Sequence, residues 1–455
     1  MIELLRSRLE ILAAGLFLIA WAFIFGLRAL PLGGEWGYLS VDTAVFIALW
    51  VLISAFSIIA GGWIAQNRVE LRPRSYFGID AAVIALSLVS GIGAILIIVE
   101  FAFVRGYGFT MPVTEIRILE VSRGFAGAPG SLLSGPGRLM MPAILPALLM
   151  VAFHRRRLSR AALVAFGAAA LLFLFEQIRF EGGRWFLFGT YFALAVGLLG
   201  DLLRNKVEGG SSFGRKLANA LLFLVLYGVI LFGYSGWVFA NRYDGSGEGQ
   251  VAAYERFSNE LIEKRYSESG EGEEEPISDG EELVAKPLGE FSESLFGKLL
   301  LHPVTKFFWI YATHGVNELN NLVLGGEFSH SLGAFQFPQL ARISDRLLGT
   351  DLRVEYKADF PNDGLYTTMI GASYVDFGFV GAVGFGALFG LGLGVFANLF
   401  GRQRGASFSS MAFPAMMTVA LLSPIISVVS HFWPVMFWAV FAYGVLVLAK
   451  KENAK

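Results

Sequence analysis

The chain has 455 residues, of which 55% are hydrophobic and 16% charged, with a net charge of −1 and no cysteine. Soluble domains carry about 25% charged residues, so this composition excludes an ordinary soluble protein and places the chain in the polytopic membrane class. The near-zero charge gives no bulk electrostatic basis for a nucleic-acid partner, and the lack of cysteine removes disulfides, thiolate metal sites and a cysteine nucleophile.

In chain order, Arg6 and Arg8 precede an apolar run over 11–30. It is too long for a signal-peptide core and no small-residue cleavage site closes it, so a retained anchor is expected. Further apolar runs lie near 42–65, 81–104, 139–153, 161–176, 185–203, 218–240, 378–400, 411–429 and 432–449. Lysine and arginine orient them. One set of connections, with both termini, holds 18 basic residues, including Arg155, Arg156, Arg157 and Arg160, whereas the short loops on the other side hold seven. The expected fold is an all-α polytopic integral membrane protein with about ten transmembrane helices. Both termini are cytoplasmic, and one large extracytoplasmic loop carries short helices. Residues 1–240 form spans one to seven, 241–376 the loop, and 377–455 the last three spans with a cytoplasmic tail.

The loop has parts. Residues 266–285 hold eight acids and read as a solvated, disordered insert. Phe291, Leu295, Phe296, Leu299 and Leu300 fall at helical spacing, which suggests an amphipathic helix on the bilayer surface. Residues 307–326 read as a helix or helix pair ended by Gly325 and Gly326. Arg342, Asp345, Arg346, Asp351 and Arg353 read as a solvated helix face of paired charges.

Four arginines flank spans on the outer side: Arg123, Arg138, Arg179 and Arg184. Their forked guanidinium groups suit a pyrophosphate, and they equally suit snorkelling to headgroup level. Arg184 follows two glycines at the mouth of a span, where backbone can let a ligand approach. His314 and Glu318 are four apart and share a helix face, a spacing that can supply a base with its orienting carboxylate or an ordinary polar surface. No third ligand with metal-site spacing follows. Asp359, Asn362, Asp363, Tyr366, Thr367 and Thr368 bring together the carboxylate, amide and aromatic groups that hold sugar hydroxyls, although an Asx-type turn at 362–364 accounts for part of the pattern. Asp376 stands one step from the membrane, where its ionised form needs a partner or water. Gly386, Gly390 and Gly394 make one smooth face for close helix packing. There is no Walker lysine motif, nucleophile elbow or zinc-protease motif.

The segment YTTMIGASYVDFGFVGAVGFGALFGLGLG (366–394) resembles the T-x-(I/L)-G-x-x-Y-x-D-F-G-x-x-G passage that follows the large loop of Wzy-type O-antigen, or oligosaccharide repeat-unit, polymerases. Thr368, Gly371, Tyr374, Asp376, Phe377, Gly378 and Gly381 carry it. YATHGVNELNN and GGRWFLFGTYFAL are similar to further passages of that family. An R-x10-G pattern of some members is not formed, because Ser134 stands eleven residues after Arg123 and Ala195 eleven after Arg184.

The resemblance implies a metal-independent glycosyltransferase of the bacterial inner membrane, active on its periplasmic side and needing no cofactor. Its implied partners are undecaprenyl-pyrophosphate-linked oligosaccharides, membrane lipids and a chain-length regulator. In that frame His314, Glu318 and Arg184 are the catalytic candidates. Arg179, Arg123, Arg138 and Arg342 are pyrophosphate candidates, and Asp363, Tyr366 and Asp376 are glycan candidates. The alternatives are an O-antigen ligase, with the same leaving group and a different acceptor, and a transporter or flippase of lipid-linked glycans. A transporter would carry polar groups near the bilayer midplane.

Overall fold

The computed structural model describes residues 8–29, 39–68, 78–111, 116, 133–181, 184–206, 217–218, 220–229, 231, 233, 303–324, 330–350, 367–402 and 407–452. The acidic stretch 266–285, the spacing that begins at Phe291 and the turn at 362–364 lie outside them. Among the described residues all regular structure is helical, as lipid requires of a chain that must satisfy its own backbone groups.

The helices are α1 (Leu9–Arg28), α2 (Val41–Arg68), α3 (Ile79–Val99), α4 (Ser134–Met140), α5 (Ile144–His154), α6 (Arg160–Glu176) and α7 (Arg184–Lys206). They continue with α8 (Ala220–Val229), α9 (Pro303–Leu324), α10 (Pro338–Leu348), α11 (Met369–Arg402), α12 (Phe408–Leu422) and α13 (Val429–Glu452). A π-helical turn over Glu100–Val104 extends α3, another over Gln177–Glu181 extends α6, and a 3₁₀ turn over Met141–Ala143 joins α4 to α5. The protein is an α-helical membrane protein, and among the described residues seven helical segments are long and apolar enough to cross a bilayer. Shorter apolar helices stand where the sixth, seventh and ninth runs were read.

The tightest crossing joins α2 to α11, and glycine makes it. A Cβ on Gly386 would lie 2.6 Å from the Trp50 Nε1, and one on Gly390 would lie 2.5 Å from the Ser54 carbonyl oxygen. One on Gly394 would run into the Ile58 carbonyl. Gly61 returns the contact, with its Cα facing the Leu391 backbone. The backbones therefore meet directly, as the four-residue glycine repeat predicts. The Trp50 Nε1–H donates to the Ala382 carbonyl at 3.0 Å. Trp50 also packs with Phe17 and Trp21 of α1, each at 5.9 Å between centroids.

The two poles of the bundle are pinned by polar contacts. At one, Asn398 donates to the buried Glu10 carboxylate at 3.3 Å, Arg402 donates to the Ala65 carbonyl at 3.0 Å, and Asp80 accepts from the Ser159 amide at 2.9 Å. At the other, the Trp21 Nε1–H donates to the Ser423 hydroxyl at 3.1 Å, and Ser423 begins the turn between α12 and α13.

If backbone contact sets this crossing, Gly390→Ala lowers stability by about 1–3 kcal/mol, the usual cost of overpacking. Gly384→Ala, on the same helix with open space around it, is neutral or raises stability by about 0.5–1 kcal/mol through helix propensity. Thermal unfolding of the two variants in one detergent separates these outcomes, and equal midpoints would show that the crossing yields to a methyl group.

Candidate functional site

The second pole gathers α9, α10 and the starts of α7, α11 and α13 around the turn between α12 and α13. The start of α11 is laid into that turn by two backbone hydrogen bonds, Met369 N–H to the Ser423 carbonyl at 2.9 Å and Ser427 N–H to the Thr367 carbonyl at 2.8 Å. Thr368 caps the helix, its hydroxyl accepting from the Gly371 amide at 3.0 Å. Gly371 leaves room for the Thr367 hydroxyl, which a Cβ there would overlap.

The next residues tie this helix to the segment ahead of α10. Asp376 is buried, and its carboxylate accepts from the Ser331 hydroxyl, from Phe335 N–H at 2.9 Å and from Gln336 N–H at 3.0 Å. Ser331 and Leu332 also donate their amides to the carbonyls of Val375 and Asp376. Two residues on, Gly378 has φ 67° and ψ −173°, a conformation open essentially to glycine alone, and α11 kinks there. A Cβ on Gly378 would sit 2.8 Å from the His330 Nε2. Tyr374 meets Phe46 edge-on at 5.7 Å and His330 at 6.1 Å, and Phe377 stacks on Phe385 at 6.0 Å. The helix thus begins at Met369, seven residues before the end of the loop as read from the sequence, because the segment before the kink is already helical.

Helix α9 is a single helix rather than a pair, and it closes the site. Gly315 allows it to touch the turn, since a Cβ there would overlap the Ile425 carbonyl and lie 3.2 Å from Thr368. Asn320 anchors it across the pole by accepting from the Ser40 amide at 3.0 Å. Its polar face carries His314, Asn317, Glu318 and Asn321. His314 Nε2 stands 3.9 Å from a Glu318 carboxylate oxygen, beyond hydrogen-bond length. Burial pushes the imidazole down from its ordinary 6.5 to about 4, so His314 is neutral at pH 7 and the pair is a contact rather than an ion pair. Both amide atoms of Asn317, the Thr367 hydroxyl and the Gln336 side-chain carbonyl are buried with no protein hydrogen-bond partner. Each of these atoms keeps hydrogen-bonding capacity that a bound water or a ligand group would satisfy.

Arg184 is the first residue of α7, at the positive end of the helix dipole. The start of α7 lies beside the start of α13: the Phe186 and Phe432 rings are 6.5 Å apart, and Gly189 faces Phe432 directly. The arginine and the histidine, far apart in sequence, therefore stand on elements joined through the α12–α13 turn. Arg179 is engaged elsewhere, donating to the carbonyls of Phe109 at 3.1 Å and Gly108 at 3.5 Å and lying over the Phe180 ring at 5.3 Å. Arg138 is on α4, where Gly93 of α3 packs against Met141 and Gly137. Arg342 is on α10, in the charged stretch. Arg123, Asp363 and Tyr366 lie outside the described residues.

No family model, curated protein or solved structure matches this chain.

Sequence reasoning missed Ser331 and Gln336, whose parts depend on Asp376, some forty residues away in sequence. It also passed over three buried carboxylates, Glu10, which accepts from Asn398, Glu100, which accepts from Arg105 at 3.0 Å, and Glu176, which accepts from Gln177 at 2.8 Å. These did leave a signal, as acids at the ends of apolar runs.

Two measurements check this geometry. Asp376→Asn leaves one of three donors facing an amide nitrogen, a loss of about 1–3 kcal/mol. It should speed hydrogen exchange at Phe335 and Gln336, and unchanged protection there would remove the carboxylate from its holding role. Between pH 6.5 and about 4 the unfolded chain binds a proton at His314 that the folded chain does not. The stability linked to its burial is therefore full above pH 6.5 and is lost as pH falls toward 4. Thermal midpoints should fall more over this window for the wild type than for His314→Gln.

Proposed function

We propose that the protein polymerises undecaprenyl-pyrophosphate-linked oligosaccharide repeat units into O-antigen or a similar surface polysaccharide. The setting proposed with it is the bacterial inner membrane, with ten spans, cytoplasmic termini and the large loop on the periplasmic side. Lipid-linked glycans are the substrates, and a chain-length regulator is a further partner.

The observation that carries this reading is the convergence at one pole. The passage that resembles the polymerases, Thr368 to Gly381, forms the junction against which α9 packs, through Gly315 at Thr368 and Leu322 beside Val375. The same junction reaches the start of α7, and with it Arg184, through the α12–α13 turn.

In the reaction the bond between the growing glycan and its lipid pyrophosphate breaks. A bond forms to a hydroxyl at the non-reducing end of the incoming unit. The hydroxyl proton passes to His314 or Glu318, and the lipid pyrophosphate departs. His314 is neutral and so able to accept a proton, and Glu318 beside it stabilises the imidazolium that results. A base of low affinity suits a donor already activated by its leaving group. Arg184 neutralises the charge that grows on the departing pyrophosphate, with Arg123, Arg138 and Arg342 as further candidates. Arg179 takes a positioning role, because its guanidinium holds the 108–109 turn. Asp363 and Tyr366 orient sugar. Asp376 supports the site by fixing the 331–336 turn.

The test is reconstitution in lipid with repeat units on undecaprenyl pyrophosphate, the products being resolved on a gel. A ladder of regular steps is expected, with the rate lowered about 10²-fold or more in His314→Ala, the usual effect of removing a general base. Arg184→Lys keeps the charge, loses the fork and should slow the ladder as well. A single transfer that requires added lipid A core would make the protein a ligase. No transfer under either condition would overturn the glycosyltransferase reading in favour of transport.

A further inference from the structure

Helix α10 turns the wrong face outward for a helix in water. Leu340, Ile343 and Leu347 share one side at helical spacing and are 47%, 42% and 77% exposed, with Leu348 beside them at 76%. The residue that packs inward is Ala341, at 5%. Asp345 is drawn in at the C-terminal end, where it accepts from the Thr350 hydroxyl at 2.8 Å. The sequence pattern drew attention to the charges of this stretch, whose side chains other than Asp345 lie outside the described residues; the described side chains add an exposed apolar stripe.

Three observations say what covers it. First, α10 is tethered where α11 enters the bilayer. The turn that leads into it is held by Asp376, two residues before the kink, and from Phe379 onward α11 is a lipid-facing span with Val380 and Leu388 exposed. The turn that leads into α10 is therefore fixed at the mouth of a span whose outer side is apolar and exposed. Second, Trp433 at the start of α13 donates its Nε1–H to the Gln339 side chain of α10 at 3.1 Å. A tryptophan with its polar edge paired at the end of a span belongs at the membrane interface. Third, Leu332, in the tethering turn, has φ 48° and is 71% exposed. This left-handed conformation is disfavoured for leucine, and it sends an apolar side chain outward beside the mouth of α11.

We propose that α10 is an in-plane membrane helix. Its Leu340, Ile343 and Leu347 face is immersed in the acyl-chain boundary of the bilayer, with Leu332 as a second contact. The helix floats on lipid while its other side holds the turn that Asp376 organises, so the bilayer surface itself is a structural support of the site. The proposal needs only the membrane-protein fold and stands whether or not the polymerase reading holds.

The cysteine-free sequence makes the test direct. Single cysteines replace Leu340, Ile343 or Leu347 in the full chain and carry a spin label in phosphatidylcholine–phosphatidylglycerol vesicles. Val380→Cys serves as the lipid reference and the free spin label in buffer as the water reference. Collision rates are read with oxygen, which partitions into lipid, and with a water-soluble nickel chelate. The three α10 labels should show a several-fold higher oxygen-to-nickel ratio than the free label and resemble the Val380 label. Nickel-dominated collisions would place the face in water and overturn the proposal. Low collision with both reagents would mean that protein covers the face, a second copy or another partner, and would overturn it equally.

Discussion

The direct backbone contact of α2 with α11 is the constraint on which the rest depends. In lipid there is no hydrophobic gain in bringing two apolar helices together, so association rests on close packing. Gly386, Gly390 and Gly394 supply it, and Gly61 answers them from α2. Because the backbones touch, the register of α11 is fixed against α2 to within a residue. That register then sets where the Gly378 kink falls, which way Asp376 points, and where the turn before α10 is held.

The passage that carries the family resemblance has a physical reason at nearly every position. Thr368 caps, Gly371 makes room, Tyr374 packs on Phe46, Asp376 holds the turn, Phe377 stacks and Gly378 kinks the helix. None of these residues needs to touch a substrate to explain its identity. In the proposed reaction the chemistry would fall instead to the polar face of α9 with its His314, and the motif would mark the site by bracing it.

Much of the frame was legible in the sequence. Apolar runs mark helices because a spanning segment must be long and uncharged, and the glycine repeat announced a close crossing because its period matches the helix. The α9 helix could be read for the same reason. What could not be read depends on contacts across the fold. Asp376 looked like a membrane-edge acid, and its partners Ser331, Phe335 and Gln336 lie some forty residues upstream. Arg179 looked like a phosphate ligand, and nothing in the sequence signalled that its Nε and Nη2 also reach carbonyls about seventy residues away. For α10, charge dominated the sequence pattern, and only packing shows that the leucines face out.

The kink at Gly378 also acts as a ruler. Beyond it, 379–402 is a straight run of 24 residues, about 36 Å at 1.5 Å per residue, against a hydrocarbon core of about 30 Å. With a modest tilt that run fills the bilayer. The segment Met369–Phe377, about 14 Å long by the same rise, does not add to that span. Phe46 touches both Tyr374 and Phe379, and Met369 is bonded to Ser423, which takes the indole N–H of Trp21 from the middle of α1. The chain therefore doubles back at the kink, and the segment lies alongside the span.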